Sequence, residues 1–186
     1  RFYDQLKFGT AGLRGILGAG STRLNRYTVE KAAQGIADYI NNFTDDGNIR
    51  GVAIAYDNRH YSPEFAGWTA MVLAANGIKA YLFNTLTATP ILSFAVRDLN
   101  AVAGFMITAS HNPHNYNGFK VYWEDGCQVL NKRADDIIKS VEAVDMFDAK
   151  SMDFDEGIKK QLICMTGDDI YEKYYTLAKK LTFRQD

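Results

Sequence analysis

Cysteine is scarce in this 186-residue chain. Its two, Cys127 and Cys164, stand 37 positions apart with no Cys-x-x-Cys and no neighbouring ligand pattern. That spacing argues against a disulfide scaffold and against a zinc-thiolate module, and reads as two reduced thiols. An excess of one charge is lacking too. The 21 basic side chains face 22 acidic ones, for a formal net charge of −1, so no nucleic-acid or membrane partner is expected. No apolar run approaches the ~18 residues of a spanning helix. Arg1 to Thr10 carries charge throughout and has no apolar segment of the signal-peptide kind. The expectation is a cytoplasmic protein. With 47% hydrophobic residues, the composition is globular, and a chain of this size buries about 70% of its unfolded surface without staples. Neither an internal repeat nor a low-complexity linker is present, so one domain is expected.

Apolar spacing supplies the elements. Val29, Ala32, Ala33, Ile36, Ala37 and Ile40 share one helical face. Gly51–Tyr56, Ile78–Phe83 and Ala103–Ile107 are short apolar runs of the kind buried on both faces of a sheet. A fourth strand is expected over Phe119–Trp123, preceded by Asn117-Gly118. Ser62-Pro63-Glu64 reads as a helix start with Ser62 as N-cap, and Thr89-Pro90 repeats the signal. Two later helices are expected near 132–144 and 168–181. Strands alternating with helices predict an α/β fold, a three-layer α/β/α sandwich with a mixed, mostly parallel sheet of about four strands. The last pair is separated by too few residues for a crossover and is expected to be antiparallel.

In such sheets ligands gather at the carboxyl ends of the strands. Three loops qualify: Asp57-Asn58-Arg59-His60, Asn84 to Thr89, and Thr108 to Asn117. The third is the most unusual, since Thr108-Ala-Ser-His-Asn-Pro-His-Asn-Tyr-Asn-Gly118 packs hydroxyls, two imidazoles and three carboxamides into one stretch. Ser110 can be a phosphoryl carrier among anion-binding groups, half of a hydrolase pair, or part of an Asn-rich turn. The hydrolase ranks third. No Gly-x-Ser-x-Gly elbow surrounds Ser110, and neighbouring side chains in extended backbone point apart, which counts against His111 as its base, while no spacing argument selects His114 in its place. The glycine-rich stretch Gly9–Gly20 meets neither the phosphate-loop nor the dinucleotide pattern. It leaves a backbone able to approach another loop, bearing Arg14 either as a surface ion-pair partner or as a bidentate phosphate ligand.

Five motifs stand in order: Phe8-Gly-Thr-Ala-Gly-Leu-Arg-Gly15, Asp57-Asn-Arg59 with Ser62-Pro-Glu-Phe65, Thr89-Pro90, Thr108-Ala-Ser-His-Asn-Pro113, and Asn117-Gly-Phe-Lys-Val-Tyr122. This set resembles the α-D-phosphohexomutase superfamily, in its phosphoglucomutase/phosphomannomutase branch. The resemblance implies that Ser110 is a phosphoserine exchanging its phosphoryl group with hexose phosphates through a hexose 1,6-bisphosphate. It implies proton transfer or charge stabilisation by His111 and Lys120. Arg14, by the same resemblance, stands near the phosphoserine, and Arg14, Thr108, Asn112 and Lys120 bind phosphate or substrate. A Ser110 phosphate is implied as one ligand of Mg²⁺. Asp57 is ambiguous, and Arg59 is expected to support the Ser110 loop rather than to touch substrate.

Other family motifs are absent: Asp-Gly-Asp-x-Asp-Arg for the metal, Gly-Glu-x-Ser-Gly-His for the sugar, and Arg-x-Ser-Gly-Thr for phosphate. Thr166-Gly-Asp-Asp-Ile170 is no substitute, having the wrong composition and lying at a helix start. The expectation is therefore the first domain of a mutase, spanning 1–186, with 168–186 as closing helix and start of a linker to a second domain. Alone it should be inactive, its partners being hexose phosphate and the remaining domains. The alternative is a stand-alone module that binds phosphosugars or a partner without catalysis.

Overall fold

The computed structural model describes residues 1–9 and 12–183. In chain order the first elements are β1 (Phe8–Gly9), β2 (Gly12–Ile16), α1 (Arg26–Phe43), the single turn α2 (Gly47–Arg50), β3 (Val52–Tyr56), α3 (Ser62–Ala75) and β4 (Ala80–Phe83). They are followed by α4 (Thr89–Asp98), β5 (Ala103–Ile107), β6 (Tyr116–Trp123), α5 (Asn131–Ala143), α6 (Phe154–Lys159), β7 (Ile163–Thr166) and α7 (Asp168–Lys180).

Strands β3 and β5 lack alternation because both of their faces are covered. Val52, Ile54, Phe105 and Ile107 pack into a core with Ile36, Phe65, Leu73 and Ile137, from α1, α3 and α5. Ala53, Ala55 and Met106 point the other way, into a core with Leu92 and Val96 of α4 and Ile170 of α7. The expected α/β/α layering follows from these opposed faces.

The sheet has seven strands rather than about four, in the order β1-β2-β6-β5-β3-β4-β7. Strands β5, β3, β4 and β7 run parallel. Strand β6 is antiparallel to both β5 and β2, as expected for its short connection to β5. The added strands are β1 and β2, which form a hairpin at one edge, and β7 at the other. Asn117 and Gly118 lie inside β6 rather than before it, and Asn117 is fully buried.

Two helix starts differ from expectation. The N-cap of α3 is Tyr61, held at φ 64°, and Ser62 is already helical. Its hydroxyl donates to Asp57 Oδ1 at 2.9 Å instead of capping the helix. At α4 the cap is Ala88, with no side-chain cap bond, and Thr89 opens the helix beside Pro90. Helix α7 packs on α4 through a 2.7 Å Lys173–Asp98 pair and an edge-to-face Phe94–Tyr174 contact.

Candidate active site

Strand β3 occupies the turning point of the topology. The chain leaves it through α3 to reach β4 on one side, then returns through α4 on the opposite face to β5 on the other side. The carboxyl ends of β3 and β5 therefore border a crevice, where open α/β sheets place ligands. The loops Asp57–His60 and Thr108–Asn115 emerge there and line an open groove of 340 Å³ together with Asn58, Asn112 and His114.

Ser110 stands at the turn of the second loop with φ 57°, in the left-handed region that a non-glycine residue enters only when its surroundings hold it there. Its main-chain N–H donates to Thr108 Oγ1 at 2.9 Å, which gives the buried Thr108 a positioning role, while the Ser110 side chain stays exposed. The left-handed backbone also changes the Ser110–His111 relation. In extended chain the two side chains would diverge, but here Ser110 Oγ and His111 Nδ1 come to 3.4 Å. The pair still lacks the third group of a hydrolase triad: among the described residues no carboxylate holds the other ring nitrogen.

Arg59 organises the loop from below. Its Nη1 donates to Pro113 O at 2.9 Å and Tyr116 O at 3.0 Å. Its Nη2 donates to Ser110 O at 2.8 Å and Asn112 O at 2.7 Å. With a side chain only 13% exposed and Asp57 Oδ2 3.7 Å from Nε, it is built into the structure, as expected of a loop support. Asp57 Oδ1 accepts from Arg59 N at 3.0 Å and from the buried Ser62 hydroxyl. Asn117 Nδ2 then donates to Ser62 Oγ at 2.9 Å and His60 O at 3.0 Å. Ser62 and Asn117 escape sequence reasoning because each reads as ordinary helix-start or turn chemistry. Full burial is the signal that distinguishes them.

Two cations come from the other half of the sheet. Arg14 of β2 sits opposite Gly118 of β6, so Lys120, two residues along β6, is its diagonal neighbour on the same face. Arg14 Nη1 donates to Asn112 Oδ1 at 3.2 Å, which brings Asn112 and this arginine into one constellation with Ser110. Lys120 is pushed below the usual lysine value of 10.5, first by burial and then by the Arg14 charge, while Asp57 pulls it back up. The crowding of like charge marks a site suited to an anion.

The lowered value has a measurable consequence. The unfolded chain holds the Lys120 proton more tightly than the folded one, so stability rises with pH as this lysine deprotonates, in the window below 10.5. As pH rises toward 10.5, the urea midpoint of the unsubstituted chain should climb relative to that of Lys120→Met. Parallel curves would refute the assignment.

The donor set does not suit a metal by itself. Among the described residues no three His, Cys, Asp or Glu side chains gather at one point. Asp57, the carboxylate of the groove, is already engaged by Arg59 and Ser62. The Thr166–Ile170 segment is the end of β7 and the start of α7, as its sequence suggested.

Residues 5–147 match the domain described as phosphoglucomutase/phosphomannomutase, alpha/beta/alpha domain I. The chain belongs to the phosphoglucomutase/phosphomannomutase family. Phosphoglucomutases of Staphylococcus aureus, among them that of strain MRSA252, are 50% identical over 143 residues, which is 77% of this chain. The chain spans about a quarter of their length, 25%. A crystal structure of a Thermus thermophilus protein assigned as a phosphomannomutase matches 95% of the chain and 36% of its own, with 27% identity and a TM-score of 0.76. Paramecium pp63/parafusin, a phosphoglucomutase crystallised in an open form, shares the fold at a TM-score of 0.67 and 20% identity, over 98% of this chain and 36% of its own. The family's domain I therefore accounts for the α/β/α layers, and the solved relatives extend the likeness across β7 and α7.

Proposed function

We propose that this chain is the phosphoserine domain of a cytoplasmic hexose phosphate mutase, with Ser110 as the phosphoryl carrier. One observation carries the reading: an exposed serine hydroxyl is held on a left-handed turn at the topological crevice, with Arg14, Lys120 and His111 grouped around its loop. In the forward half-reaction the bond between phosphorus and Ser110 Oγ breaks and a bond to a sugar hydroxyl forms. The hydroxyl's proton passes by way of a nearby base to the departing Ser110 Oγ, which is left as a serine hydroxyl. The hexose 1,6-bisphosphate so formed returns its other phosphoryl group to Ser110.

Such transfer depends on positioning and on positive charge around the moving oxygens more than on a strong nucleophile. Arg14 and Lys120 supply that charge, Thr108 and Asn112 fix the loop around it, and His111 Nδ1 can hold a proton beside Oγ. Lys120, already discharged more readily than an ordinary lysine, is a second group able to accept and return one. A phosphate on Ser110 carries about −1.5 to −2 charge and offers a hard oxygen ligand to Mg²⁺. The remaining ligands of that ion have to come from outside the described residues, so no step is assigned to it.

Residues 1–186 are proposed as the first domain, with 168–186 leading into a second, and hexose phosphate and the further domains as partners. On this reading the isolated chain is expected to give no measurable conversion of glucose 1-phosphate to glucose 6-phosphate in a coupled assay. Robust turnover by the isolated chain would overturn the proposal of an incomplete site.

A further inference from the structure

The Arg59 guanidinium offers five N–H donors in one plane, and four of its bonds go to main-chain carbonyls, three in the loop that carries Ser110 and one at Tyr116, the first residue of β6. No peptide bond among the described residues is cis. In a planar trans peptide the N–H points opposite to the preceding C=O. With Ser110 O and Pro113 O bonded to Arg59, trans-peptide geometry directs the N–H groups of His111 and His114 away from it. Neither N–H has a hydrogen-bond partner among the described residues, whereas those of Ser110, Asn112 and Tyr116 do. Outward N–H groups of this kind form anion-binding concavities.

We infer that Arg59 is the positioning residue for phosphoryl transfer at Ser110. It gathers the loop's carbonyl oxygens behind the serine, away from the incoming phosphoryl dianion. It thereby turns the His111 and His114 amides toward that dianion and fixes the left-handed Ser110. Arg59 touches neither substrate nor transferring oxygens. Asp57, anchored by Ser62, holds the guanidinium in register. This inference rests on the phosphoserine reading.

The test is Arg59→Lys in the full-length mutase, which keeps the charge but cannot reproduce a planar fork serving four carbonyls. Expected, per folded molecule, is a fall in kcat of about 10²-fold, the cost of a misplaced reacting group, with KM changed by less than about threefold. Loading of Ser110 by hexose 1,6-bisphosphate, read by intact mass, should slow in parallel. A raised KM with kcat retained would place Arg59 on the substrate and overturn the inference, as would near-normal kinetics. If Arg59→Lys fails to fold, Ser62→Ala gives the milder form of the same split, about tenfold in kcat, and unchanged kcat there overturns the inference equally. Ser110→Ala measured alongside separates the two readings. Normal turnover in Ser110→Ala sinks the phosphoserine assignment itself, whereas an inactive Ser110→Ala beside a normal Arg59→Lys sinks only the role of Arg59.

Discussion

Ser110→Ala in the full-length mutase should lower turnover by at least about 10³-fold while leaving thermal stability nearly unchanged. The side chain is exposed, and its one polar contact among the described residues is the 3.4 Å approach to His111 Nδ1, so little packing is lost. On the phosphoserine proposal, what disappears is the acceptor for the phosphoryl group. Asn112 Oδ1 is engaged by Arg14, Thr108 Oγ1 by the Ser110 amide, and His111 Nδ1 lies beside the serine hydroxyl. Incubation with hexose 1,6-bisphosphate followed by intact mass should add one phosphate to the unsubstituted protein and none to the variant. Near-normal turnover of Ser110→Ala, or phosphate on another residue, would defeat the assignment.

The second large effect is expected at Gly118, which has no side chain to take part in proton transfer but pairs with Arg14. A Cβ built there would lie 2.6 Å from Thr108 O and 2.7 Å from Leu13 O, both main-chain atoms of neighbouring segments. Gly118 O accepts from Thr108 N at 3.0 Å, and Gly118 itself pairs with Arg14 in the β2–β6 register. Gly118→Ala must therefore spread β6 from both sides. Overpacking of this kind costs about 2 kcal/mol, a fall of about 4–8 °C in melting temperature for a domain of this size. Activity should fall further than stability, because Thr108 holds the Ser110 amide and Arg14 holds Asn112. An unchanged melting temperature would show that the two carbonyls can give way.

Much of the fold is legible in the sequence for a physical reason. Strands covered on both faces, such as Ala103–Ile107, must be continuously apolar, and the α1 stripe repeats at helical spacing, although burial runs all round the helix from Thr28 to Ala37 and takes in Glu30, Lys31 and Gln34. The missed strands do not carry that signal. Gly12–Ile16 becomes a strand through its pairing with β6, a partner about a hundred residues away, and glycine-rich sequence conceals it. Ile163–Thr166 is a short edge strand with exposed Met165. Within the site, the loop after β5 is conspicuous because polar side chains crowd it, even though its Ala109 is buried. The proximity of Ser110 and His111 was hidden, since it depends on one positive φ that is imposed by tertiary contacts rather than by residue type. Ser62 likewise looks like a cap until Asp57 is seen to take its hydroxyl.

The split origin of the site bears on how the chain acquires it during synthesis. Arg59 follows β3 in the parallel half, which grows outward by crossovers between successive segments. Arg14 belongs to a hairpin that has no sheet to join until β6 exists, and it reaches its Asn112 partner across a sequence separation of 98 residues. Contacts that distant are slow to form. As the polypeptide emerges from the ribosome, the β2 segment stays without its neighbour until Phe119, the partner of Leu13, has left the exit tunnel. Arg14 and Lys120 therefore converge only late in translation, after β3, β4 and β5 have all emerged. On the phosphoserine proposal, a nascent chain stalled before β6 carries Ser110 but not Lys120, and its Arg14 has no β6 to pair with.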